Sequence, residues 1–191
     1  MKGRWLVVVF AGVASASVCA AALARHQEGS TQKPAAAPQA APEMERLSKL
    51  YLGEWEYTET YPKSPAAPNG GQNSGVYTSK AGPGGNSLVN SFHSQGPMGN
   101  FEGLLMITWD AGEKAYKGYF FGDNAPGALV ETGQFEDDAL VFRAEVAVGS
   151  GAMKFKNVTR FLGGGKLTSE QYVTMPGAAE KMLVHVDAKK R

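Results

Sequence analysis

Apolar and polar positions alternate along much of the chain after residue 52. The alternation is clearest in segments 101–109 and 140–148 and again near the end of the chain, over 181–189. In the last segment Met182, Val184, Val186 and Ala188 share the apolar face. Charged residues such as Arg143 and Asp187 fall on the opposite face from the apolar ones. Because successive side chains of a strand point to opposite faces, this period predicts strands with one dry and one solvated face. Such strands are typical of antiparallel sheets.

Turn sequences rich in Gly, Pro, Asp and Asn separate these segments and predict ten strands in all. The predicted strands are 54–61, 74–80, 87–94, 101–109, 116–121, 129–135, 140–148, 153–162, 167–175 and 181–189. The links between them are short, so each strand is expected to pair with the next one along the chain. An open sheet would leave two unpaired edges, and closure removes both. The sequence therefore predicts an all-β fold, a closed antiparallel barrel of about ten strands.

A short helix is predicted before the first strand. Apolar side chains recur at spacings of three and four over Glu43–Tyr51, which places them on one face of a helix. Gly53 ends the pattern. A Pro- and Gly-rich stretch, 62–71, follows the first strand, and because proline removes a backbone donor we expect a loop there.

The beginning of the chain has the features of an export signal. Lys2 and Arg4 precede the apolar stretch Trp5–Val18, and Ala22-Leu23-Ala24 matches a small-x-small cleavage site. We therefore expect residues 1–24 to be a signal peptide and the protein to be periplasmic or extracellular. An uncleaved anchor is the alternative, since about 20 uncharged residues can span a bilayer. The many Ala, Ser and Gly residues favour cleavage, after which no stable membrane insertion is expected.

Residues 25–42 are rich in Pro and Ala and lack apolar periodicity. Such a segment cannot bury enough surface to offset its ordering entropy, so we expect a disordered linker. The remaining residues, 43–191, are about 150 in number, which is enough for one core.

Composition narrows the chemistry further. The only cysteine, Cys19, lies in the export signal, so disulfides are excluded from the mature domain. Without Lys2 and Arg4 the chain has 17 basic and 18 acidic residues, a net charge of −1. This balance offers nothing that would attract nucleic acid.

Several short segments, taken in order, resemble the bacterial family called DUF1579, whose function is not established. They are the helix leading to Leu52-Gly53-Glu54-Trp55-Glu56, the run Met98-Gly99-Asn100-Phe101-Glu102-Gly103, the strand end Trp109-Asp110, the strand start Lys114-Ala115-Tyr116-Lys117-Gly118, the tripeptide Glu131-Thr132-Gly133, and the basic end Lys189-Lys190-Arg191. The resemblance covers about 43–191. It implies a small lipocalin-like or calycin-like barrel and supplies no catalytic residues.

A related barrel family, the nitrobindins, also begins with Gly-x-Trp and binds haem through a histidine. Its opening motif continues with glycine at two alternate positions that hold Tyr57 and Glu59 here. The two histidines of the domain, His93 and His185, alternate with better core candidates and are expected to face water. Zinc would also need three or four clustered ligands, so we predict no metal or cofactor.

Trp55 is the most informative single residue. One interpretation places it in a ligand pocket. The other is that it plugs the closed end of the barrel, where its indole N–H donates to a carbonyl. In lipocalin-like barrels such a tryptophan often lies under a basic side chain from a late strand, and Arg160 or Lys190 are candidates for that cation–π contact.

Two glutamates lie in mid-strand rather than at turns. Glu131 shares a parity with Leu129 and Phe135, and Glu170 shares one with Tyr172. An inward carboxylate beside a tyrosine would hold a polar head group or act as an acid or base. The alternative is a buried ion pair with a basic side chain such as Arg160 or Lys154, since buried charges are normally paired.

The leading hypothesis is a non-enzymatic exported barrel that binds a small apolar or amphipathic molecule. Its candidate binding residues are Trp55, Tyr57, Trp109, Tyr119, Glu131, Arg160, Glu170 and Tyr172. We predict no catalytic residues, because no nucleophile elbow, phosphate loop or zinc-ligand spacing is present. Two other hypotheses stay open: a barrel enzyme with an interior Glu/Tyr pair, and a partner-binding module that docks through the Pro-rich stretch 62–75. The oligomeric state is left open.

Overall fold

The computed structural model describes residues 39–64, 67–123 and 125–191. The predicted signal peptide and most of the predicted linker lie outside the described residues. One helix, α1 (Pro42–Tyr51), precedes ten strands. The strands are β1 (Gly53–Tyr61), β2 (Gly71–Ala81), β3 (Ser87–Gln95), β4 (Phe101–Asp110), β5 (Ala115–Gly122), β6 (Ala125–Glu136), β7 (Ala139–Val148), β8 (Gly151–Gly163), β9 (Lys166–Thr174) and β10 (Lys181–Lys190).

The ten strands form one closed antiparallel barrel in which sequence neighbours are also neighbours in space. The first strand closes the barrel by pairing with the last, with Trp55 opposite Lys190 and Tyr57 opposite Ala188. The structure confirms both the predicted number of strands and the predicted closure of the barrel. Because directly opposed residues point to the same side, these pairings fix which side chains of every strand face the lumen.

Helix α1 lies over one end of the barrel. Proline at its first turn suits a position where no backbone donor is needed. Met44 and Leu47 are buried against Leu88, Ile107 and Leu140, so the helix and the strand ends beneath it share one core. Among the residues that the structure describes, no helix has the length and hydropathy needed to cross a membrane.

The Pro-rich connection between the first two strands is shorter than predicted. The second strand already begins at Gly71, which pairs with Tyr61. Residues 71–75 are therefore part of the sheet, and the predicted docking loop 62–75 is wrong over that part. The sequence Gly-Gln-Asn-Ser-Gly lacks strand-forming side chains, and pairing along β1 overrides that local preference.

A bulge alters the face of one predicted strand. Along β10 the register shifts between Met182 and Val184. Val184 and Ala188 point inward as predicted, but Met182 is 38% exposed. Because the extra residue reverses the alternation, the prediction that Met182 shares the inward face is wrong.

We expect Leu47→Ala to lower the free energy of unfolding by about 2–5 kcal/mol. Leu47 is fully buried on the inner face of α1, and its truncation would leave a cavity between the helix and the strands. The matched control is Leu162→Ala, since Leu162 is 60% exposed and its loss is expected to change stability by less than about 0.5 kcal/mol. Urea denaturation of both variants measures the difference. Equal effects would contradict the assignment of the helix to the core.

Candidate functional site in the barrel lumen

Trp55 closes the barrel at the helix end. Its side chain is buried, and its Nε1–H donates to the carbonyl oxygen of Tyr51 at 2.8 Å. The Tyr77 ring stacks on the indole with 5.4 Å between centroids. The Nζ atom of Lys190 lies 5.0 Å from the indole centroid. These contacts confirm the predicted plug and assign its cation to Lys190 rather than Arg160.

Tyr51, the last residue of α1, belongs to both hydrophobic clusters of the core, and its ring meets Phe161 edge-on at 5.0 Å between centroids. Burial raises the pKa of its hydroxyl to about 12, although the nearby Thr159 hydroxyl opposes that shift. The same hydroxyl lies within electrostatic range of Glu131. Tyr51 therefore extends the closed end of the lumen toward mid-barrel. Sequence reasoning assigned it only to the helix face.

Glu131 points into the lumen from β6. It pairs with Gly118 on β5, and a Cβ atom added there would come within 2.7 Å of the Glu131 Cγ atom. The carboxyl group therefore lies directly over a glycine. Burial raises the pKa of Glu131 to about 7, and no hydrogen bond or charge among the described residues contributes to that shift. The side chain is half-buried, and a carboxyl group without a partner at such a position is unusual, since buried charges are normally paired.

A second set of polar groups faces the interior from β2 and β3. Ser79 and Asn90 lie directly opposite one another and are 3% and 1% exposed. Within the described part of the chain, neither the Ser79 hydroxyl, nor either amide atom of Asn90, nor the Tyr77 hydroxyl has a hydrogen-bond partner. Each such group costs roughly 1–3 kcal/mol. Native interiors rarely tolerate several of them together without water or a bound group.

The interior polar groups on β8 and β9, by contrast, satisfy one another. The hydroxyl of Ser169 donates to the Asn157 side-chain oxygen at 2.8 Å, and Thr159 lies 3.2 Å from both. This wall therefore needs no additional partner, whereas the β2–β3 wall and Glu131 do.

The end of the barrel away from α1 is accessible to solvent. Several apolar side chains there share the inward face yet are only half-buried: Phe101, Phe120, Leu129, Phe155 and Val173. Glu59 lies on the inward face at this rim and accepts a hydrogen bond from the Tyr61 hydroxyl at 2.9 Å. The side chain of Asn73 ties the loop after β3 to this rim through hydrogen bonds to Met98 and Gly99. The lumen is therefore closed at the helix end and open at the other.

The predicted site residues divide into two groups. Trp55, Tyr57, Trp109 and Glu131 lie on the inward face. Four others point outward: Tyr119, Arg160, Glu170 and Tyr172. Their assignment to a lumen site is wrong, because the inward positions of β5, β8 and β9 are the alternate ones, as the burial of Tyr116, Thr159 and Leu167 shows.

Glu170 is part of an exterior polar cluster. It accepts a hydrogen bond from Tyr172 at 2.9 Å, which raises the pKa of that hydroxyl, and lies 3.4 Å from an Arg160 nitrogen. His185 lies near the same carboxylate, and both predicted water-facing histidines, His93 and His185, are on the outer face. Glu170 therefore pairs with Arg160, as the ion-pair alternative predicted. The pair lies at the surface and is not buried. Within residues 39–64, 67–123 and 125–191, no three metal-ligating side chains converge.

Two other surface features compete with the lumen. A groove of about 700 Å³ crosses the outer face near β1, but its Arg191 and Glu56 already pair at 2.9 Å and keep their hydration. On β4–β6, exposed Leu104, Phe121 and Val130 form a small outward apolar patch. A partner-binding module would need such a patch. Among the residues that the structure describes, the buried polar side chains that lack partners all lie on the inward face of the barrel, so we place the candidate site there.

A closed ten-stranded antiparallel barrel, covered at one end by a short helix and open at the other, is a lipocalin-like barrel. The chain belongs to the family described as "Protein of unknown function (DUF1579)", which matches residues 39–190. The crystal structure of Rv2717c from M. tuberculosis is similar, with a TM-score of 0.56 and 11% identity over 80% of this chain and 99% of that chain. At that identity the likeness shows the fold alone. No curated protein matches the chain.

The raised pKa of Glu131 predicts a pH-dependent loss of stability. The folded state holds this proton up to about pH 7, whereas the unfolded chain releases it near 4.5. Ionisation of Glu131 should therefore lower the free energy of unfolding by about 2–3 kcal/mol as the pH rises from 4.5 to above 7. Denaturation of wild type and Glu131→Gln at pH 4.5 and pH 8 measures it.

In that comparison, Glu131→Gln should become the more stable protein at pH 8, and its advantage should shrink at pH 4.5. Glu102→Gln is the control, because the Glu102 side chain is 73% exposed on the outer face. Parallel pH profiles for wild type and Glu131→Gln would contradict the assignment of Glu131 to a desolvated interior.

Proposed function

We propose that this protein is an exported barrel that binds one small amphipathic molecule in its lumen. The polar end of the molecule lies at Glu131, and its apolar part lies among the half-buried aromatic side chains of the open end. The observation that supports this most directly is the inward carboxyl group of Glu131, which has no partner among the described residues. A binding site combines mostly apolar walls with a few polar groups that fix orientation, and the inward face of this barrel has that composition.

The neighbours of Glu131 add a second line of support. Gly118 has no side chain, which allows the Glu131 side chain to lie directly over it on the inward face. Unpartnered Ser79 and Asn90 contribute further polarity on another wall. A fold that only needed to be stable would gain by replacing these groups with apolar ones, because each is costly without a partner. Retention of polar groups in a desolvated interior is therefore consistent with a binding role.

Export is supported by the sequence alone. The basic start, the apolar stretch and the small-x-small site over residues 1–24 are the basis for a periplasmic or extracellular location. A barrel outside the cytoplasm without cysteines depends on its core rather than on disulfides.

Glu131 also favours a second candidate function, which is proton transfer. A carboxyl group with a pKa of about 7 is suited to act as a general base or acid near neutral pH. Glu170 and Tyr172 do not share this property, because they lie outside the barrel and bind each other. In an enzyme, Glu131→Gln would abolish turnover while leaving binding of the molecule intact.

Binding in the lumen is testable with a neutral fluorescent probe, N-phenyl-1-naphthylamine, and with 1-decanol as competitor. We expect saturable binding of one probe per chain and displacement by decanol. Gly118→Leu should abolish it, because the new side chain takes the position of the Glu131 side chain and displaces it. Leu129→Trp, closer to the open end, is a second filling variant in case the first fails to fold.

Phe121→Ser is the matched control, because Phe121 is 45% exposed on the outer apolar patch and should not affect a lumen site. Circular dichroism of each variant establishes that the barrel is intact. Loss of binding in Phe121→Ser together with retention in both filled variants would place the site on the exterior instead. Failure of the probe to bind at all would also count against the proposal.

A further inference from the structure

The charged side chains that the strand pairings place on the inward face are two glutamates and two lysines. Where the strand pairings set the face of the described residues, Glu59 and Glu131 point inward at the rim and in mid-barrel. Lys190 shares this face, but its ammonium group lies against the Trp55 ring at the closed end. Lys181 lies at the rim, beyond the β10 bulge, and is exposed. Neither lysine contributes to the electrostatics of Glu131.

This charge distribution discriminates between head groups. A carboxylate or phosphate in the lumen would be desolvated next to Glu131 without a basic side chain to pair with, which is strongly unfavourable. A cation would meet a carboxylate that has no other partner. An ion pair in a partly buried site is much stronger than one at the surface.

We propose that the lumen selects an amphipathic molecule whose polar end is a protonated amine, with Glu131 as its counter-ion. This rests on the proposed binding function and specifies the class of its ligand. The Glu131 side chain lies over Gly118, which has no side chain to displace it. The Tyr51 hydroxyl lies within electrostatic range of Glu131 and offers a second acceptor.

The choice of an amine predicts a pH dependence of binding. An amine binds the ionised carboxylate, so affinity should rise about tenfold between pH 6 and pH 8 as Glu131 deprotonates with a pKa of about 7. The other titratable groups on the inward face include Glu59, Lys181, Lys190 and the hydroxyls of Tyr51, Tyr57, Tyr77 and Tyr116. Burial raises the pKa values of these four hydroxyls above their ordinary value, so the hydroxyls stay neutral in this window.

The test compares three ten-carbon compounds that differ only in the polar end: decylamine, 1-decanol and decanoate, each measured at pH 8 by displacement of N-phenyl-1-naphthylamine. We expect decylamine to bind about tenfold more tightly than decanol, and decanoate to bind most weakly. Glu131→Gln should reduce decylamine affinity about tenfold, leave decanol within about twofold and remove the pH dependence. The exposed Glu102→Gln should change none of these.

The outcomes separate the two proposals. If decanoate binds as tightly as decylamine, or if Glu131→Gln leaves decylamine binding unchanged, the choice of an amine is overturned while lumen binding stands. If the probe and all three compounds fail to bind the wild-type barrel, lumen binding itself is overturned.

Discussion

Pairing of the first strand with the last is the constraint on which the rest of the structure depends. Once Trp55 lies opposite Lys190, every later pairing fixes the inward face of the next strand, and one alternation is carried around the whole barrel. The same pairing brings Lys190 over Trp55 and closes the end of the lumen beneath α1. The polar interior is then a consequence of which residues occupy the inward positions, Glu131 among them.

Much of this could be predicted from the sequence. Strand number, closure and the helix followed from alternation and turn residues, and the plug was one of two interpretations of Trp55. The inward face of β7 was clear because Leu140, Phe142 and Ala144 all fall on it. On β9 the alternation of apolar and polar residues is weaker. Leu167 and Val173 share the parity of the inner face, whereas Glu170 lies in mid-strand on the outer face.

The remaining features depend on tertiary packing and have no local signature. Nothing near Met182 signals that a bulge reverses its face. The proximity of Tyr51 to Glu131 joins the end of a helix to a strand eighty residues later along the chain. The absence of partners for Ser79 and Asn90 emerges only when the whole described interior is assembled. Local pattern therefore determines the framework, and long-range packing determines which polar groups go without partners.

A site-specific titration of the Glu131 side-chain carboxyl carbon by nuclear magnetic resonance tests the central claim most directly. The protein would be labelled with ¹³C-glutamate, and Glu131→Gln would assign the signal. A desolvated carboxyl group without a partner in the lumen should titrate with a midpoint near pH 7. A midpoint near 4.5, the ordinary value for glutamate, would mean that the group is solvated or paired, and would contradict the account.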